Sequence, residues 1–240
     1  MERITLLWLF KMSGWEKMTL KDTLNSIELI VFDIDGTLII SHADWDGMRM
    51  KLRDHFMHNY DIEMEFRPVL DKMEEAIAII RRKNPNIDSG KIRDTVMQII
   101  EETGLEGIKK SQLVKNCRRN LEMVRKKRKR LASFTRSGLK EALLALEMHK
   151  IKKYFEMIVT RDDTVKVKPN PDPILLISRK MNINPNKILV VGDHPYDILA
   201  GKSAGTKTLG VLSGIAPKED LLKAGADFIL DSISEIEKHL

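Results

Sequence analysis

The chain has 240 residues, 42% of them hydrophobic and 32% charged, with a formal net charge of +6. That is the composition of an ordinary folded soluble protein, long enough to bury a core without disulfide or metal staples. The single cysteine, Cys117, excludes an internal disulfide and a Cys-rich zinc site, and a reducing, cytoplasmic setting suits it.

No segment approaches the ~20 apolar residues that span a membrane. The apolar run Ile4 to Phe10 has only Arg3 before it and no small-residue cleavage site after it, so it does not read as a signal peptide. Met12 and Met18 are alternative starts, and residues 1–26 are expected to form a weakly ordered N-terminal extension.

Glu28 to Asp33 is a short apolar, β-branched run closed by Asp35-Gly36-Thr37, and it predicts a buried strand. From about Asp44 to Asn120 the pattern changes. Met, Leu and Ile recur at three- and four-residue intervals among many charges, as at Met73, Ile77 and Ile80. Asn84-Pro85-Asn86 and Thr103-Gly104 divide the segment, which predicts an all-helical insert over 44–120 without strands. Further strands are expected at Arg130 to Thr135, Glu156 to Thr160, Lys187 to Gly192, Thr206 to Leu212 and Asp227 to Leu230. Helices are expected between them at Ser137 to Met148, Pro171 to Met181, Pro195 to Ala204 and Pro217 to Ala224, three of which open on proline. Strands alternating with helices of this length predict an α/β fold. Its doubly wound parallel sheet would be formed by residues 27–43 and 121–240, with the helical cap inserted between them.

Candidate site residues cluster at the carboxyl ends of these strands, where ligands bind in open α/β sheets. Asp33 ends the first strand and Asp35 returns to the same side two residues on, a spacing that lets one carboxylate act as nucleophile and the other as acid and base. Thr135 ends the second core strand beside Arg136, and a hydroxyl near a helix start can cradle phosphate. Lys168, held by Pro169 and Pro171, offers an ammonium against phosphate charge. Gly192-Asp193 closes another apolar strand, with Asp197 at the following helix start. Converging carboxylates of this kind suit Mg2+.

Asp-x-Asp-Gly-Thr, a strand-end Thr, Lys-Pro-x-Pro and Gly-Asp-x-x-x-Asp, in that order, resemble the haloacid dehalogenase-like hydrolase superfamily. The match covers about Leu29 to Leu212, and the flanking text is similar to the phosphoglycolate phosphatase and β-phosphoglucomutase branch. The resemblance implies an aspartyl-phosphate made on Asp33, with Asp35 as acid and base. Asp33, the backbone of Asp35, and Asp193 would hold Mg2+. Thr135 and Lys168 would hold the phosphoryl group, with Asp197 ligating through water or positioning Lys168. It also implies a small phosphorylated metabolite as substrate. Arg136 departs from the small or amide residue usual after that Thr, and is expected to bind phosphate or mark a substrate with extra negative charge.

Two alternatives stand beside the phosphatase reading: a phosphosugar mutase of the same branch, and a non-enzymatic module holding nucleic acid or a protein. The basic run Arg125 to Arg130 invites the latter, but it sits at a helix end, where cations are favoured, and few aromatics accompany it. His55 and His58 lack further ligand candidates nearby and read as cap or surface residues. Trp45, Met48 and Leu52 read as cap packing.

Overall fold

The computed structural model describes residues 18–240. Six parallel strands form the central sheet: β1 (Leu29–Phe32), β4 (Arg130–Phe134), β5 (Met157–Val159), β6 (Ile188–Gly192), β7 (Lys207–Val211) and β8 (Phe228–Leu230). Their spatial order is β5-β4-β1-β6-β7-β8. The chain builds outward from β1 to β5, then crosses back to β6 on the other side of β1. The strand order therefore reverses around β1, and a crevice opens beyond its carboxyl end.

Alternation along β1 explains its unbroken apolar sequence. Ile30 and Phe32 face a cluster with Leu131, Leu189 and Val191. On that side pack α1 (Leu20–Ser26), α5 (Cys117–Lys126) and α6 (Leu139–Met148). Leu29 and Val31 face the opposite cluster, covered by α7 (Asp172–Met181) and α8 (Pro195–Ser203). A strand covered on both faces has no polar side to display. The last elements are α9 (Lys218–Lys223) and a 3-10 turn at Ile233–His239, whose Ile233 and Ile236 join the first cluster.

Between β1 and β4 lie the inserted helices α2 (Trp45–Tyr60), α3 (Val69–Lys83) and α4 (Ser89–Lys109), with their own core of Leu52, Phe56, Phe66, Ile77, Val96 and others. Met48 belongs to this core and Trp45 packs against it. The join to the sheet domain is a two-stranded antiparallel ribbon, β2 (Ile39–Ile40) with β3 (Gln112–Leu113). The ion pair Lys140–Glu101, at 2.7 Å, also ties α6 to α4.

Three expectations need correction. The segment 44–120 contains a strand, β3, because two short chains crossing at the neck satisfy each other's backbone groups. Cys117, Leu121 and Val124 on α5 are buried in the sheet domain's cluster, so that helix runs across the expected boundary at 120. Residues 20–26 are no loose extension. Thr19 caps α1 in a reciprocal box with Asp22, and Leu20, Leu24 and Ile27 enter the core. The readings made for residues 1–17 lie outside the described residues. Among the described residues no helix is long and apolar enough to cross a membrane.

Half of the basic run makes internal contacts, while Lys127 and Arg128 are exposed. Arg125 donates to the carbonyl of Lys153, Lys129 to those of Asn25 and Ile27, and Arg130 to Glu156 and the carbonyl of Met181. Cys117 is buried, which pushes its thiol pKa up to about 12 and leaves it unreactive.

Leu24→Ala is expected to destabilise the chain by about 2–4 kcal/mol in urea unfolding, as for other fully buried leucines. A loss near zero would mean that α1 does not dock in solution.

Candidate active site

Every element that ends at the crevice contributes a side chain. Asp33 leaves β1 with its N–H bonded to the carbonyl of Val191, which continues the ladder one residue past the strand. Thr135 continues β4 in the same way, donating to the carbonyl of Val159. Its hydroxyl accepts from the Ser137 N–H at 3.1 Å, so it shapes the turn into α6 while lining the cavity. Asp193 follows β6 directly, and Asp197 lies in the first turn of α8.

Lys168 comes from the loop between β5 and α7, and is 135 residues away from Asp33 in sequence. Its Nζ lies 2.5 Å from Asp33 Oδ1 and 2.6 Å from Asp197 Oδ1, and all three side chains are buried. The ammonium also sits 4.1 Å from the centroid of the Phe134 ring. Burial works against its charge, but Asp197 and Asp33 outweigh this and hold its pKa above the ordinary lysine value. Asp197 is fully engaged. Its Oδ1 meets Lys168 and its Oδ2 accepts from the His194 N–H at 3.0 Å. It thus positions the lysine and starts α8 at once. His194 Nδ1 accepts from the Tyr196 N–H, and burial keeps the ring's pKa low.

Asp193 is approached closely on both sides. Its Oδ1 accepts from the Thr37 hydroxyl at 3.1 Å. A Cβ on Gly36 or on Gly214 would collide with its carboxylate. Gly36 also has φ of +84°, open to few other residues. Burial, with Asp197 nearby, pushes the Asp193 pKa up to about 7. Burial likewise raises Asp33 well above the usual range, with Lys168 opposing it.

One carboxylate oxygen from each of Asp33, Asp193 and Asp197 falls within 4.8 Å of the others. One lysine cannot neutralise three buried carboxylates, and the raised pKa values register the deficit. A hard divalent cation would supply it, and the all-oxygen donor set fits Mg2+. Both oxygens of Asp197 already accept hydrogen bonds, so Asp33 and Asp193, each with an oxygen less committed, are the better placed side-chain ligands.

Asp35 stands apart from this cluster. Ser41 fixes its carboxylate from outside, through the N–H at 2.9 Å and the hydroxyl at 2.5 Å. It is half-buried and lines the same cavity, about 770 Å³ in volume, as Asp33 and Lys168. Arg136 also lines it, exposed, with its guanidinium 5.3 Å from the Tyr196 ring centroid. The structure therefore brings all seven sequence-derived candidates to one cavity. His55 and His58 lie on α2, away from it. His58 Nδ1 pairs with the Asp54 carbonyl, and His55 stacks on Phe56 and Tyr60.

Several residues at the site escaped the sequence reading. Thr37 and Ser41 hold the two acids, and Ser213 donates to the Gly36 carbonyl at 2.7 Å. Arg49 and Arg67 enter from the cap, and Arg161 with Glu141 from the sheet domain. Thr37 and Ser213 sit just past strands, a position that could have flagged them. Nothing local marks Arg49 or Arg67.

A family model for haloacid dehalogenase-like hydrolases matches residues 30–211. The chain belongs to that family. Over 225 residues it is 25% identical to pyrophosphatase PpaX of Bacillus mycoides, covering 88% of this chain and 95% of the relative. A shorter stretch of 94 residues is 40% identical to pyrophosphatase PpaX of Bacillus pumilus, covering 39% of this chain and 44% of the relative. Among solved structures, one described as a predicted phosphoglycolate phosphatase from Haemophilus somnus superposes with a TM-score of 0.65. At 22% identity over 89% of this chain and 97% of that one, it bears on the fold alone. Within its family the chain is a phosphohydrolase.

Lys168→Met would strip the buried carboxylates of their cation. We expect a loss of about 3–5 kcal/mol in unfolding free energy at pH 8. The loss shrinks at pH 5, because Asp33 then takes up a proton at little cost. A loss independent of pH would argue against the buried pair.

Proposed function

We propose that the chain is a Mg2+-dependent phosphatase that hydrolyses a small, phosphoglycolate-like phosphomonoester through an aspartyl-phosphate on Asp33. The carrying observation is the division of labour between two acids in one cavity: Asp33 held by Lys168, and Asp35 held apart by Ser41.

Asp33 Oδ1 meets Lys168 and keeps a second lone pair for a metal ion, while Oδ2 is free to attack phosphorus. The P–O bond to the leaving alkoxide breaks as the Asp33–phosphorus bond forms, and Asp35 gives its proton to the departing oxygen. Asp35 then takes a proton from water, which attacks the phosphoryl group and restores Asp33. Lys168 and Thr135 offset the charge that gathers on the phosphoryl oxygens, the main demand of such a transfer. Bound Mg2+, held by Asp33, Asp193 and the backbone of Asp35, supplies further charge neutralisation. The helical cap, about residues 44–120, covers the cavity and keeps bulk water from the first step.

Pyrophosphate is a second reading, favoured by the relatives named pyrophosphatase. The same chemistry serves it, with phosphate as the leaving group. A phosphosugar mutase would use the same intermediate but would need a bisphosphate primer.

Phosphate release from a panel including phosphoglycolate and pyrophosphate is expected to require Mg2+ and to fall by at least ~10³-fold in Asp33→Asn, the scale of losing a covalent nucleophile. Asp35→Asn is expected to slow esters with poor leaving groups more than p-nitrophenyl phosphate, which needs no acid. Release that survives in Asp33→Asn would overturn the mechanism.

The metal reading has its own test. In the folded, metal-free chain Asp193 holds its proton up to about pH 7, whereas an unfolded aspartate releases it near ~3.9. The folded state therefore binds more protons across that window, and this group's contribution to stability falls as pH rises through it. Mg2+ relieves the penalty only where the proton is gone. Added Mg2+ is thus expected to raise Tm more at pH 8 than at pH 5.5, as read by thermal unfolding. An equal rise at both would remove the support.

A further inference from the structure

Two arginines of the sheet domain follow neighbouring strands into the cavity. Phe134 pairs with Val159 across β4 and β5, and each strand continues as Thr-Arg: Thr135-Arg136 and Thr160-Arg161. Thr135 N–H donates to the Val159 carbonyl, and Arg161 N–H to the Ser137 carbonyl at 3.2 Å, so the two strand ends stay tied together as they turn away from the sheet. Arg136 and Arg161 therefore both leave the carboxyl edge of neighbouring parallel strands. Both line the cavity that holds Asp33 and Lys168.

Arg161 is built into its place. Its side chain is only 10% exposed, and its Nη2 lies 3.1 Å from Glu141 Oε2. Glu141 is buried and already accepts from the Gly138 N–H at 2.6 Å as the cap of α6. The Arg161 Nε is buried with no hydrogen-bond partner; the nearest carboxylate oxygen, Asp162 Oδ1, stands 3.9 Å away, beyond hydrogen-bond reach. A guanidinium carries five N–H groups in a planar fork, and burying one unsatisfied is costly. Arg136 has no carboxylate within ion-pair distance among the described residues and rests against Tyr196. By contrast, Arg49 and Arg67 from the cap both contact Asp46. The unspent donors are therefore on the two core arginines, beside the phosphate-cradling Thr135.

We infer that Arg136 and Arg161 form a second anion subsite, which selects substrates carrying an oxyanion group beyond the phosphoryl group that is cleaved. The inference rests on the phosphatase reading and narrows it to phosphorylated carboxylic acids and diphosphates. A planar fork with free N–H groups matches two oxygens of one carboxylate or phosphoryl group. The cavity has room for both ends of such a molecule. A simple alkyl phosphate would leave the Arg161 Nε unsatisfied and would forgo that gain.

Binding of unreactive analogues tests this without turnover. The probes are methylphosphonate, with one anionic group, and phosphonoacetate and methylenediphosphonate, with two. Calorimetry in Mg2+ is expected to give at least ~10-fold tighter binding of one two-anion probe than of methylphosphonate, the worth of one charge-assisted contact. Preference for phosphonoacetate would name a carboxylate as the second group, and preference for methylenediphosphonate a phosphoryl group. Arg136→Met and Arg161→Met are each expected to cut the ratio of the two affinities by about tenfold. Arg161→Met is paired with Glu141→Gln, so that no lone buried charge unfolds the chain. If Arg161 served only to neutralise Glu141, these variants would lower Tm and leave the ratio as it was. An unchanged ratio in both, or a ratio near one in the wild type, overturns the subsite while the Asp33→Asn assay still decides the phosphatase reading.

Discussion

A buried lysine shared by two buried aspartates is the interaction on which the site depends. Lys168 joins the end of β1, through Asp33, to the start of α8, through Asp197. Removing charges from water is expensive, so such a triad persists only where geometry and further hydrogen bonds compensate. Asp197 gets its second bond from the His194 N–H, which also starts α8. The ion pair and the helix start are thus one structure.

The same crowding sets the chemistry. Three carboxylates gather where only one lysine neutralises them, and burial lifts Asp33 and Asp193 well above ordinary aspartates. Glycines at positions 36 and 214 permit it, since any Cβ there would displace the Asp193 carboxylate. The sheet domain stores this unfavourable charge because its strands are buried on both faces and cannot rearrange cheaply. The cap adds two arginines, and its own hydrophobic core is separate from that of the sheet, to which it is joined by the β2–β3 ribbon and by α4, whose Ile108 enters the sheet domain's cluster. The acids therefore all rest on the sheet domain, while the cap supplies part of the cavity wall.

Much of the fold is legible in the chain because it is local. Unbroken apolar runs such as Leu29–Phe32 and Ile188–Gly192 mark strands covered on both faces, and proline marks the openings of α7 and α8. The boundaries at the neck are not legible. Two-residue strands carry no period, so β2 and β3 leave no pattern to read. Helix α5 continues the charged helical text of the insert, and only burial in the sheet domain's cluster assigns its Cys117, Leu121 and Val124 to that domain. Residues 20–26 look polar and terminal, yet three apolar side chains in the segment 20–27 are enough to dock them.

By itself, the sequence determined which groups end the strands: Asp33 and Asp35, Thr135, and Asp193, each closing an apolar run at a turn. It determined their order, since strand identity and strand end are encoded within a few residues. Tertiary structure alone decided what those groups meet. That Lys168 reaches Asp33 across 135 residues, that Ser41 holds Asp35 away from the acidic cluster, and that Arg136 and Arg161 line one cavity all follow from strand pairing and loop closure. Those contacts join segments far apart in the chain. No local pattern contains them, because the free energy that selects them comes from burying one segment against another.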